Sequence, residues 1–457
     1  MAASPELSER QTTSGGPDEW RAAPRAWPLG ADQTDQAALD RTLIERRPRL
    51  VLNDRRLWAL LGGWTLLWFA VLARHGGYSW HYFRQAGTLL FDGAAAGAPA
   101  GGLHVYANYP QLQFGPVTFV TAQGLRLLDP AGVIPAEAIM TTVGLFVLYT
   151  VQRITVTLRP ELAGDARLRL ALLIGGGAFL IGWVDLAAGY GHLDDVLALL
   201  FVTLAAWALV SDLPAVAGIC LALSVDSKPW ALVFLPLVFA ASRAARKYVV
   251  FCTAVAVLLA WLPFVLVDLH TLTAAQYAIT NQPSSALRAL GVSSPTTPGW
   301  DRPAQIILGC LLGAVAIRRR RWQAVIVLGI GARLVLDPGV YNYYTVGLLL
   351  GALLWDMLRM RWPVPVWTLL SGLALGIAPL LTSNATLLGD VRLWLLLGLM
   401  ADVLITPARR YPPSVDTIAP SRALRPASGS VSWMRRETYF ARRPAVPRAR
   451  RAGVELK

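Results

Sequence analysis

The chemistry-bearing residues of this chain stand out because hydrocarbon surrounds them. In "AAGYGHLDDVLALLF", residues 187–201, His192, Asp194 and Asp195 fall within one helical turn, between the apolar runs "LALLIGGGAFLIGWV" and "VTLAAWALV". Unpaired N–H groups and the helix dipole favour a carboxylate at a helix start, so either aspartate alone reads as an N-cap. Two aspartates with a histidine exceed what capping needs. Ionisable groups at membrane depth are costly and mark a pathway or a site.

Further polar sets recur in the same setting. "LSVDSKPWALVFLP", 223–236, places Asp226 and Lys228 between two short apolar arms. Lys228 is one of three lysines in a chain that otherwise uses Arg. Its compact ammonium suits a phosphate oxygen as a point charge, or else pairs with Asp226 while snorkelling to headgroups. "GARLVLDPGVYNYYTVG", 331–347, puts Arg333 and Asp337 four apart on one helix face, as an ion pair or as a clamp for a phosphodiester. The tyrosines that follow suit an interfacial aromatic belt. "YSWHYFRQAGTLLFDG", 78–93, has the spacing of a helix lying flat on a membrane, and it carries His81 and Asp92. "YANYPQLQFGP", 106–116, gathers Tyr106, Tyr109 and Gln111 in a composition that fits a carbohydrate or headgroup cleft, or an interfacial hairpin.

The elements that must position these residues follow from composition. Of 457 residues, 55% are hydrophobic and 15% charged, with a mean hydropathy of +0.46, whereas soluble domains carry roughly a quarter charged residues. The charges cluster at seams, leaving apolar stretches of about 17–22 residues, the length that crosses a bilayer. The expected fold is all-α: a polytopic helical membrane protein with about 12 spans. The spans are expected at 57–72, 134–152, 168–185, 193–211, 213–225, 230–241, 249–267, 304–317, 324–336, 345–357, 363–381 and 391–405. The shorter run at 115–128 reads as a partly embedded helix. Residues 1–50 and 406–457, polar and rich in Arg and Pro, read as disordered cytoplasmic tails flanking a transmembrane domain over 57–405.

This count keeps the Arg seams at 153–169, 243–247, 318–321 and 359–362 on the cytoplasmic side. The chain is thus expected in the plasma membrane with both termini cytoplasmic and a long first outer loop, 74–133. His81, Asp92, His192, Asp194, Asp195, Asp226, Lys228 and Asp337 then share the outer face. The net charge of +14 is explained by these seams and by tails lying on anionic lipid, so membrane lipids, and not nucleic acid, are the expected partners. Cys220, Cys252 and Cys310 sit singly in apolar runs, without metal-ligand spacing; no metal and no cofactor is expected.

A first span, a long outer loop with a flat helix and "YxxYPxxxxGP" together resemble the GT-C glycosyltransferases. More narrowly, "GHLD" at 191–194 and Lys228, Pro229, Trp230, Leu235 and Pro236 resemble the actinobacterial polyprenyl-phosphate-mannose-dependent mannosyltransferases. The resemblance covers roughly residues 57–350 and implies transfer of a sugar from a polyprenyl-phosphate donor to a lipid, glycan or protein hydroxyl. It also implies cationic residues on the leaving phosphate and an aspartate base just after the first span. There this chain has Tyr78-Ser79-Trp80-His81. The base is then His81, Asp92, Asp194 or Asp195, with the Asp194/Asp195 pair ahead of His81. Otherwise the protein is a non-catalytic partner that kept the scaffold. A transporter or flippase is the remaining class, but such proteins place sites near the midplane between repeats, and no repeat is evident here.

Overall fold

The computed structural model describes residues 53–128, 132–276, 278–360 and 363–406, without the side chains of 273–276. Both expected tails lie outside the described residues, apart from Thr406. Among the described residues every regular element is a helix, and the β pairing is an isolated bridge between Thr280 and Thr296.

Local chemistry sets many helix starts. In α1 (Asp54–Leu72) the Asn53 side chain accepts from the Arg56 amide. The amphipathic run becomes α2 (Trp80–Phe91), which buries Trp80, Phe83, Ala86 and Leu89. Pro116 opens α3 (Pro116–Arg126), the run expected to be partly embedded. After α4 (Ile134–Leu158), Asp165 caps α5 (Ala166–Gly189), which contains two π-helical turns. Next come α6 (Leu193–Val210), α7 (Pro214–Ser227) and α8 (Pro229–Ala240), the last wound as a 3₁₀ helix around Pro236. Ser242 caps α9 (Arg243–Val267). The described residues end with α10 (Asp301–Arg318), α11 (Val325–Leu336), α12 (Thr345–Arg359), α13 (Val366–Leu381) and α14 (Ala385–Ile405), the last capped by Asn384.

Among the described residues five helices, α1, α4, α5, α6 and α9, are long and apolar enough to cross a membrane. α6 is packed on nearly all sides, whereas α1 and α9 present bare hydrocarbon outward, with Leu259 68% and Leu266 74% exposed. Apolar surface of that extent is tolerated in lipid and not in water. These are the features of a membrane protein.

Small residues let the helices approach closely. A Cβ on Gly144 of α4 would stand 2.3 Å from the ring of Trp183 in α5, whose indole N–H reaches the Met140 carbonyl. One end of the helices is tied by arginines: Arg159 donates to Met360, Arg321 to Val403, and Arg359 to Asp402. The other end brings together the starts of α2, α6 and α12 and the ends of α7 and α11. Here the acidic and histidine chemistry lies.

Candidate functional site

The site is built at the start of α6. Gly191 takes φ +67°, and a Cβ there would be 3.2 Å from the Gly77 Cα. This turn makes His192 the N-cap, so neither aspartate holds that position. The capping role expected of one of them is corrected: Asp194 and Asp195 lie inside the first turn, and Asp194 Oδ1 accepts the Asp195 amide at 2.8 Å.

Lys228 reaches the pair from between α7 and α8. Because Pro229 follows, Lys228 is extended, with φ −147° and ψ 117°. Its ammonium donates to Asp194 Oδ2 and, at 3.0 Å, to Asp195 Oδ2. The Trp230 indole N–H donates to Asp195 Oδ1 at 3.1 Å. Each of the four carboxylate oxygens is thereby engaged, in residues only 2% and 3% exposed. Burial works against the Lys228 ammonium, but Asp194 and Asp195 outweigh it and hold its pKa above the usual lysine value. An Asp226–Lys228 pair does not form.

His192 closes the cluster. Its Nδ1 lies 3.4 Å from Asp194 Oδ1 and 3.7 Å from Asp195 Oδ2, and its Nε2 lies 3.0 Å from the Ser79 Oγ. The ring stacks on Tyr343 with centroids 3.8 Å apart. His192, Asp194 and Asp195 present ligand atoms within 4.8 Å of one another, a donor set able to hold a divalent cation. The sequence analysis grouped these three residues but expected no metal among them.

Arg333 stands beside the cluster, buried between two aromatic faces: its Cζ lies 4.4 Å from the Trp230 ring centre and 4.0 Å from that of Tyr344. Its Nε is 3.5 Å from Asp337 Oδ2, the ion pair expected from the four-residue spacing. Asp337 Oδ1 accepts the Gly339 amide at 2.8 Å. Burial, with the Asp337 charge behind it, raises the Tyr344 phenol above its usual value.

The other expected site residues lie elsewhere. Asp226 accepts the Trp261 indole N–H at 3.0 Å, and Tyr106 stacks on that same indole. The Tyr106 hydroxyl donates to the Phe114 carbonyl, folding 106–114 back on itself. Tyr109 donates to the Pro99 carbonyl, and Gln111 is exposed at a turn. Asp92 is taken up by Arg126 at 3.1 Å, and His81 is exposed with its ring against Tyr82. As base candidates, Asp92 and His81 are not joined to the Asp194/Asp195 cluster by any hydrogen bond, ion pair or ring contact among the described residues. Ser79 and Tyr343 were missed as site residues; Ser79 was visible only as part of the segment that replaces an expected aspartate.

The "FGP" motif does position the site. The Gly115 amide and the Thr118 hydroxyl both donate to the Ser227 carbonyl, one residue before Lys228. A Cβ on Gly115 would stand 2.0 Å from the Asp226 carbonyl oxygen. Beside this junction an apolar groove of about 660 Å³ runs along Phe91, Leu103, Val117, Leu223, Pro263 and Phe264. Comparison with protein families, curated proteins and solved structures finds no match to this chain.

Proposed function

We propose that the chain is a membrane glycosyltransferase of the GT-C type, moving a sugar such as mannose from a polyprenyl-phosphate donor to a lipid, glycan or protein hydroxyl. One observation carries the reading. Two buried carboxylates, a buried arginine and a largely covered histidine and lysine from α6, α7, α11 and their turns converge at a single end of apolar helices. Displacing a sugar from a lipid phosphate needs a group to take the acceptor's proton and cations on the leaving phosphate. The His192–Asp194–Asp195 unit supplies the first. Arg333 is oriented by Trp230 and Tyr344, and with Lys228 it supplies the second. The apolar groove along α2, α3, α7 and α9 suits a polyprenyl chain.

In this reading the chain crosses the plasma membrane twelve times, with the cluster on the outer face and the Arg-tied ends in the cytoplasm. A non-catalytic scaffold is the second reading, and it draws on the engagement of all four carboxylate oxygens. Purified protein in lipid nanodiscs, given radiolabelled mannosyl, glucosyl and arabinosyl polyprenyl phosphates with a detergent glycoside acceptor, separates the two. The expected result is labelled glycoside, reduced on the order of 100-fold in Arg333→Ala. Donor binding without transfer by the wild type would favour the scaffold.

A further inference from the structure

We infer that Arg392 is a positioning residue of the phosphate site: it takes over Asp337 when the donor phosphate binds, and so frees Arg333 for that phosphate. The identity of the anion rests on the glycosyltransferase reading. The first observation is an ion pair that does not close. Arg333 Nε and Asp337 Oδ2 stand 3.5 Å apart in side chains 4% and 1% exposed, and neither atom makes a hydrogen bond. Buried polar atoms left unbonded cost free energy, so so loose a contact yields to a better partner.

Arg392 is that partner. It is 7% exposed in α14, and among the described residues no hydrogen bond or ion pair reaches it. The opposite charge acting on it is Asp337. An arginine within a membrane-spanning helix is costly and pairs with an acid or a carbonyl. α14 packs on α11, where a Cβ at Gly331 would lie 3.3 Å from the Met400 side chain. Asp337 and Arg392 stand about two turns away along their respective helices.

Asp337 is placed to serve either arginine. It lies just past α11 in extended backbone, with φ −72° and ψ 125°. Its Oδ1 accepts the Gly339 amide, which leaves Oδ2 to the arginines. Two guanidiniums carry about ten N–H donors, and one carboxylate offers about four acceptor sites, so Asp337 does not satisfy both. The neighbouring acids bond elsewhere. Asp301 accepts from Gln305 and has Arg302 beside it. Asp195, whose charge also acts on Arg333, accepts from Lys228 and Trp230. A lipid phosphate brings oxygens that match the fork of Arg333. With it bound, Arg333 holds the phosphate, Arg392 holds Asp337, and each guanidinium has its own anion.

The test measures binding of radiolabelled polyprenyl phosphate to full-length protein in nanodiscs, beside the sugar-transfer assay. Arg392→Met leaves Asp337 with Arg333 as its one arginine. It is expected to weaken binding about 10-fold and to raise donor KM alike, with kcat within twofold of wild type. Adding Asp337→Asn to Arg392→Met releases Arg333 and is expected to restore binding to within threefold of wild type. A purely structural role for Arg392 gives no such rescue. Asp337→Asn alone keeps an acceptor for the Gly339 amide and is expected to bind at least as tightly as wild type. The inference is overturned if Arg392→Met binds within twofold of wild type, if the double variant binds no better than Arg392→Met, or if Asp337→Asn binds more weakly. Sugar transfer by the wild type leaves the glycosyltransferase reading standing in each of those cases. The expected binding pattern in a wild type that transfers no sugar overturns the reading alone.

Discussion

Lys228 and Asp195, 33 positions apart in the chain, meet at 3.0 Å, and the same ammonium also holds Asp194. One cation therefore offsets part of the charge of two adjacent carboxylates that burial alone would make prohibitive. The contact joins the start of α6 to the turn between α7 and α8, and everything else in the site is arranged around it.

Removing that cation leaves two buried negative charges facing each other. Lys228→Met is expected to destabilise the folded protein by about 3–5 kcal/mol, the cost of breaking a buried ion pair from one side. Adding Asp195→Asn to Lys228→Met should recover part of the loss, since one orphaned charge is gone. Denaturant unfolding in detergent micelles measures both. A double variant no more stable than the single one would show that the carboxylates do not depend on Lys228.

Arg333 lies between Trp230 and Tyr344, a position that a planar guanidinium fills and an ammonium does not. Desolvated cation–π contacts are worth about 2 kcal/mol. Arg333→Lys should therefore raise the KM for the polyprenyl-phosphate donor on the order of 10-fold although the charge is kept. Initial-rate kinetics at varied donor concentration would show it. An unchanged KM would take Arg333 out of phosphate binding.

The segment after α9 carries a pH-dependent tie. Asp268 accepts from His104 and from the His270 amide, and these bonds hold its carboxyl below the usual value. A depressed carboxylate stabilises the fold fully above its unfolded pKa, and the contribution fades as pH falls through the folded value. The melting temperature of wild type should exceed that of Asp268→Asn above about pH 4, and the two should converge in stronger acid. A gap that persists unchanged at low pH would contradict the assignment.

Sidedness is open to direct labelling. In a version lacking Cys220, Cys252 and Cys310, an impermeant thiol reagent applied to intact cells should modify cysteine placed at Ala96 or Leu290 and spare cysteine placed at Arg320. Leu290 is 46% exposed, whereas its neighbour Ser285 is buried and makes a poor reporter. Modification at 320 would invert the proposed topology.

The sequence by itself determined the helical elements and where chemistry is possible. Long apolar runs bounded by Arg have one stable form in a bilayer, since only a helix satisfies its own backbone there. α1, α4, α5, α6 and α9 were legible for that reason. The Arg333–Asp337 pair was legible too, because a four-residue spacing on a helix fixes its own geometry. What only tertiary structure decided was partnership between segments. Lys228 chose Asp194 and Asp195 over its neighbour Asp226, because Pro229 holds it extended and Trp261 from α9 takes Asp226. Ser79 gave up its capping bond for His192 because the turn at Gly191 packs against Gly77. Such choices turn on which buried donor finds which acceptor across the packed helices, and local spacing carries no record of that.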